Sequence, residues 1–324
     1  MNETSLTYRV SAAARRGSAR LGRVTRRQLA AWAAAMALLG WALMTVGALV
    51  RASESGLGCP DWPACHGQLV AGGHHALVEE FHRWVAAVLV LGVVGLALMV
   101  FRGYRHERGL TRPVAWMLAL LAIQVVLGGV TVLLRNVSWT VVTHYGAAAL
   151  LVASTTLVAI RLAFPTAEPA PHDSFSRLIG WFVALSFGLL LAGSTLSNVG
   201  SDSACGRGFP LCNGSLFPSL DHQVVIALIH RVWAGALFVL ALWVLFRSLR
   251  DRAGVPPIKW AAVAVLIIYI VQAVLGFLIV RVSDSTATEV LHSSIGSLTW
   301  VALATLLWLT RTLAPSQRTN PRQS

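Results

Sequence analysis

Four histidines, His82, His144, His230 and His292, form two pairs with the same internal spacing of 62 residues, and the second pair repeats the first at an offset of 148. Neutral imidazole ligates iron and zinc through either ring nitrogen. Two imidazoles on facing helices can clamp an iron porphyrin from both sides as axial ligands. The numbering is therefore the footprint of a duplicated haem site. Zinc is the competing metal, but two histidines without nearby cysteine or carboxylate ligands in each half would under-coordinate it.

The surroundings of these histidines recur in the same register. Gln124, Val126, Leu127 and Gly128 return as Gln272, Val274, Leu275 and Gly276, and His82-Arg83 returns as His230-Arg231. Upstream the offset is 146, from Gly47 to Gly193 and Cys59 to Cys205, and it is 147 from Cys65 to Cys212. The length change falls between the first cysteine and the histidine-bearing helix, where a loop tolerates it.

The elements that position these residues belong in a bilayer. Hydrophobic residues make up 56% of the 324, charged residues 12%, and mean hydropathy is +0.67; a soluble domain carries about twice that charge. Apolar runs near the ~20 residues needed to span hydrocarbon occur at 29–50, 83–101, 113–134, 140–164, 177–197, 223–246, 258–280 and 288–312. The expected fold is an all-α integral membrane protein of eight transmembrane helices, arranged as two duplicated four-helix bundles. Residues 1–28 form an Arg-rich tail, 29–164 the first half, 165–176 a linker, 177–312 the second half and 313–324 a second tail.

Short loops rich in Lys and Arg stay on the cytoplasmic side. The tails and alternate connections hold 20 of the 26 basic residues, which puts both termini in the cytoplasm of a bacterial cell. The net charge of +13 is then a topology signal with a contribution from anionic lipid, and nucleic acid is not expected as a partner. An organelle transit peptide is the competing reading of the Arg- and Ser-rich start; Glu3 and the matching internal loops count against it. The four histidines are expected in the first turns of spans 2, 4, 6 and 8, at one depth near the outer surface. The other six, His66, His74, His75, His106, His172 and His222, fall in loops or at their margins and read as solvated or structural.

Two corresponding outer loops carry the cysteines, Cys59 with Cys65 and Cys205 with Cys212. Of three connectivities, two disulfides within the loops are simplest, and an oxidising exterior permits them. A redox role remains open beside the structural one, because exposed disulfides in short loops are labile. Glu79 lies three residues before His82, whereas its repeat partner is Ala227, and Glu80 maps to Leu228. A carboxylate in one half only suggests that the N-terminal half transforms its porphyrin while the C-terminal half uses one. The alternative is a helix-start acid favoured by the dipole. Arg83 and Arg231 pair with haem propionates or face headgroups. Gly128-Gly129 and Ala147-Ala148-Ala149 allow close approach of porphyrin or of helices.

On Val50-Arg51, Ser55-Gly56-Leu57, Cys59-Pro60-Asp61-Trp62-Pro63, Glu79-Glu80-Phe81-His82-Arg83, Thr143-His144, His230-Arg231 and Leu291-His292, the chain resembles the haem A synthase family, over nearly its whole length beyond the N-terminal tail. The resemblance implies an oxidoreductase that converts a peripheral methyl group of haem O into the formyl group of haem A for terminal oxidases. It implies that His82 and His144 flank the substrate haem, that His230 and His292 hold a haem b cofactor, that Glu79 is the catalytic carboxylate, and that Cys59 and Cys65 form a disulfide. Haem O is the expected ligand; haem O synthase, an external thiol-disulfide oxidoreductase, an electron donor and a second copy of the chain are candidate partners. A dihaem b electron carrier is the alternative, although its haems would sit near opposite membrane faces. A repeat-built transporter would need broken helices and a midplane polar site.

Overall fold

The computed structural model describes residues 24–68, 72–165, 173–201, 204–206, 208–209, 212–215, 218–282 and 285–313. Its helices are α1 Arg26–Ala52, α2 His74–Tyr104, α3 Arg108–Leu133, α4 Ser138–Ala163, α5 Ser174–Asn198, α6 His222–Asp251, α7 Pro256–Val282 and α8 Thr286–Thr312. Among the described residues these eight are long and apolar enough to cross a bilayer, so the chain is a multi-pass all-α membrane protein. Every backbone polar group in hydrocarbon needs an internal partner, and a helix provides it.

Helix starts are set by local chemistry. Thr25 and Gln28 form a reciprocal capping box at α1, and Asp173 and Asp221 accept the Ser176 and Val224 amides at the starts of α5 and α6. Such caps satisfy donors that the first turn leaves open. The even-numbered helices end on Arg102, Arg161, Arg250 and Arg311, cations placed against the negative end of each dipole. The helix α2 starts at His74, well before the apolar run that begins at 83. Hydropathy reports where a chain enters hydrocarbon, while backbone hydrogen bonding begins further out.

Each half is a closed ring of four: α1 packs on α2, α2 on α3, α3 on α4 and α4 back on α1, and α5 to α8 repeat the pattern. Among the described residues, helices across a ring's diagonal do not touch. The halves meet where α1 packs on α8, α4 on α8 and α4 on α5. Exchanging the halves turns the first contact into the third and leaves the second in place, so the seam has twofold character. Gly40 and Gly146 sit close beneath Val152 and Leu191, which lets helices approach as small residues do in membranes. Three indoles fasten the seam: Trp41 donates to the Ser294 carbonyl, Trp300 to that of Ala149 and Trp308 to that of Ala153, at 2.7–3.0 Å.

Candidate functional site

The repeat places its histidines identically. His82 and His230 are each eight residues past the first residue of their helix, and His144 and His292 each six. At 1.5 Å per residue this is ~9–12 Å along the axis, which corrects the expectation of first-turn histidines: they lie one to two turns deeper. That depth is hidden in the sequence because polar residues such as His74-His75 and Glu79-Glu80 extend α2 outward without extending its apolar run. His82 and His144 lie within electrostatic reach of each other, as do His230 and His292, so the pairs inferred from spacing are brought together in space.

Every imidazole rests on a glycine of a neighbouring helix. A Cβ built at Gly47 would stand 3.3 Å from Cε1 of His82, and at Gly128, Gly193 and Gly276 it would stand 3.2, 3.1 and 3.2 Å from Cε1 of His144, His230 and His292. Nδ1 of all four rings is buried without a hydrogen-bond partner. The Gln124 amide meets Nε2 of His144 at 3.3 Å, and the Gln272 amide meets Nε2 of His292 at 3.2 Å. Buried polar nitrogen left unpaired is costly. Four such rings, in two pairs seated on bare backbone, fit a large flat group that takes imidazole as axial ligand. No group of three or more His, Cys, Asp or Glu gathers among the described residues, so the donor set is one of imidazole pairs. From the sequence Gly128 reads as allowing close approach of porphyrin or helices, but Gly47, Gly193, Gly276 and the two glutamines escape notice as site residues, although all stand in the repeat register.

Glu79 is buried at 4% exposure. Its Oε1 accepts a hydrogen bond from Nη2 of Arg83 at 2.7 Å, and Oε2 accepts the Cys59 amide at 2.9 Å. It is not in the first turn of α2, which removes the helix-dipole explanation. Glu80 is also buried and lines, with Pro63, Ala64, Cys65, Arg83 and Trp84, a cavity of about 150 Å³ beside the Cys59–Cys65 loop. Arg83 donates to the carbonyls of Ala64 at 2.6 Å and Asp61 at 3.0 Å; Arg231 donates to Gly208 at 2.9 Å. Both arginines thus grip the loop above their own half, a use that neither propionates nor headgroups anticipated. Asp61 accepts the Gly67 and His66 amides, which hold its carboxyl below the usual range.

Both cysteine pairs are disulfides, Cys59–Cys65 and Cys205–Cys212. All four residues are at most 2% exposed, so the premise of the redox reading, an exposed bond in a short loop, does not hold. The statement that a carboxylate stands beside only one histidine pair also needs correction: Glu289 lies three residues before His292, and it accepts a 3.0 Å ion pair from Arg51 of the other half. The Glu-x-x-His spacing shared with Glu79 was the overlooked signal. Of the remaining histidines, His66, His74, His75, His106 and His222 are exposed; His172 lies outside the described residues.

The family model described as cytochrome oxidase assembly protein matches residues 30–81 and 74–304. The chain is 27% identical over 270 residues to the haem A synthase of Alkalihalophilus pseudofirmus, covering 80% of this chain and 89% of that protein. It is 29% identical over 277 residues to the haem A synthase of Symbiobacterium thermophilum, covering 82% and 89%. To that of Bacillus cereus it is 25% identical over 272 residues, covering 81% and 87%.

Proposed function

The chain belongs to the cytochrome oxidase assembly protein family, and we propose that it is a haem A synthase, an enzyme that takes haem O and oxidises one peripheral methyl group to a formyl group. The observation that carries this reading is the duplicated pair of glycine-seated imidazoles with a carboxylate, Glu79, buried beside the first pair, whereas Glu289 beside the second is partly exposed and tied to Arg51. A dihaem carrier needs the pairs but has no use for that carboxylate.

In this reading His82 and His144 position the substrate porphyrin from both faces, leaving its edge as the reacting region. The conversion is a four-electron oxidation, through the alcohol to a hydrated aldehyde that loses water, and its four electrons must leave to an external acceptor. Glu79 acts electrostatically. Both its oxygens already accept a hydrogen bond, an arrangement that holds a carboxylate still beside charge developing on the substrate rather than freeing it to swing and collect a proton. His230 and His292 hold haem b, which supplies one-electron redox capacity when bound. Gln124 and Gln272 fix the rotation of the rings they touch, as the outer partners of metal-bound histidines do. Arginines at the ends of the even helices support a cytoplasmic location for both termini, with the histidine ends toward the outer surface.

The test is replacement of each histidine by Ala, with haems extracted and separated by chromatography and quantified as pyridine haemochromes. His230→Ala and His292→Ala should deplete haem b and stop haem A formation. His82→Ala and His144→Ala should spare haem b and disturb haem O and haem A. Loss of the same haem from all four variants would refute the assignment of the halves, and haem b as the sole haem of the wild type would favour the electron carrier.

A further inference from the structure

At the histidine-bearing ends of the two halves, equivalent positions between the disulfide loop and the neighbouring helix carry different side chains. Trp62 and Phe209 are repeat partners, each followed by proline and each three residues before the second cysteine of its loop. On α3, Gly129 follows the glycine that seats His144, and a Cβ there would meet the Trp62 ring at 3.3 Å. The indole therefore lies against bare helix backbone. On α7 the residue after the seating glycine is Phe277, and Phe209 meets it edge-on, with centroids 5.5 Å apart at 79°. The Arg231 guanidinium stands 5.9 Å over Phe209 and that of Arg281 5.7 Å over Phe277. Leu133 takes the place of Arg281 in the first half, and among the described residues no cation lies over Trp62.

The remaining ties of the first disulfide loop run to its own helix. Glu79 and Arg83 of α2 hold Cys59, Asp61 and Ala64, so the 59–65 loop is fixed to α2 and reaches α3 through Trp62. Within that half's ring, α2 and α3 are also the loosest-packed neighbours. An indole on glycine is held by dispersion alone. An edge-to-face aromatic pair with a cation on each ring adds quadrupole and cation–π attraction. Separating the first loop from α3 breaks this stacking contact, beside the hydrogen bond from Asn136 to the Gly56 carbonyl, while separating the second loop from α7 breaks an edge-to-face aromatic pair in which each ring keeps the cation of its own side.

We propose that Trp62 on Gly129 is the releasable closure that lets the N-terminal half admit and discharge a porphyrin substrate, and that Phe209 on Phe277, with Arg231 and Arg281, is the retaining closure that keeps the porphyrin of the C-terminal half resident. The proposal rests on the assignment of substrate and cofactor halves above. It adds the residues that make one site exchange and the other hold. Differences of this kind between related sites reside in dissociation rates.

The experiment measures porphyrin release from the purified, detergent-solubilised holoprotein to excess apomyoglobin. His292→Ala and His144→Ala backgrounds each leave one half loaded, so that release is read half by half. Release from the N-terminal half should be the faster in the otherwise unaltered closures. Trp62→Ala should raise it at least tenfold without changing release from the other half. The transplant Phe209→Trp with Phe277→Gly should raise release from the C-terminal half by a similar factor, and Trp62→Phe with Gly129→Phe should slow the N-terminal half. Hydrogen exchange of amides 64–68 in porphyrin-free protein gives a second readout, faster in Trp62→Ala. Unchanged release in both Trp62→Ala and the transplant would overturn the proposal, as would equal acceleration of both halves by Trp62→Ala. If the halves were assigned the wrong way round, haem O would be extracted from the C-terminal half while these rate differences persisted, so that error is separable from failure of the closure.

Discussion

Gly276→Ala offers a test in which two consequences of one methyl group have opposite signs. In a helix interior alanine is favoured over glycine by about 1 kcal/mol, so α7 gains intrinsic stability. The same Cβ stands 3.2 Å from Cε1 of His292, whereas carbon atoms pack comfortably at about 3.5–4.0 Å; the ring must retreat by about 0.3–0.8 Å. It has little room to do so, because the Gln272 amide lies 3.2 Å from Nε2 and is itself packed against Gly296. A displacement of that size on an axial ligand should cost at least about tenfold in haem b affinity, ~1.4 kcal/mol. The assay is haem stoichiometry and the spin-state signature of the visible spectrum, measured beside thermal unfolding of the porphyrin-free protein. The expected result is unchanged or raised thermal stability together with haem b loss and a shift toward high spin. Full occupancy with an unaltered low-spin spectrum would show that the glycine seat does not set the ligand's position.

Glu79→Gln should retain both porphyrins yet lower haem A formation by about 100-fold or more, the scale of losing a preorganised charge at a reacting centre; wild-type haem A yield would contradict the assigned role. Cys59→Ala combined with Cys65→Ala opens a loop of sequence separation 6 and should cost about 2 kcal/mol on the chain-entropy account, read as a lower unfolding temperature and weaker porphyrin retention; unchanged values of both would make the bridge dispensable. Asp61 has a carboxyl held below its ordinary value, first by the Gly67 amide. Its contribution is therefore complete above the unfolded value of about 3.9 and is lost as pH falls through the lower folded one. Hydrogen exchange of the His66 and Gly67 amides, corrected for intrinsic rates, should be flat from pH 8 to 5 and rise only below about 4, and a rise near pH 6 would assign the turn to a histidine instead.

The fold was readable because bilayer spans obey length and hydropathy, and because a duplicated chain states each constraint twice. The histidine pairs and the two cysteine loops emerged from that repetition alone. What it left out were contacts. Register equates Gly128 with Gly276 but does not say that each lies under an imidazole, because the glycine comes from one helix and the ring from the next. Glu79 was legible as an asymmetry, yet its grip on the Cys59 amide depends on how a loop folds back across α2. Glu289 was legible in its spacing to His292, which repeats that of Glu79 to His82, but its pairing with Arg51 of the other half is one that comparison of like with like cannot reveal. The depth of the histidines was misplaced because hydropathy measures solvent preference, and a helix continues outward past the point where the solvent changes.

The twofold seam has a consequence for how the two halves came to differ. In a dimer of identical chains every side chain appears twice, so a carboxylate at one porphyrin site is a carboxylate at both, and an ion pair reaching across the interface off the axis is made a second time at the equivalent contact. A covalently joined pair is free of that restriction. Glu79 opposite Ala227, Gly129 opposite Phe277, and an Arg51–Glu289 bridge whose repeat positions hold Ser197 and Val141 are differences closed to two copies of one chain and open to halves joined on one polypeptide. The seam preserves the geometry of a pair of equals, and the linkage between them is what permits a division of labour.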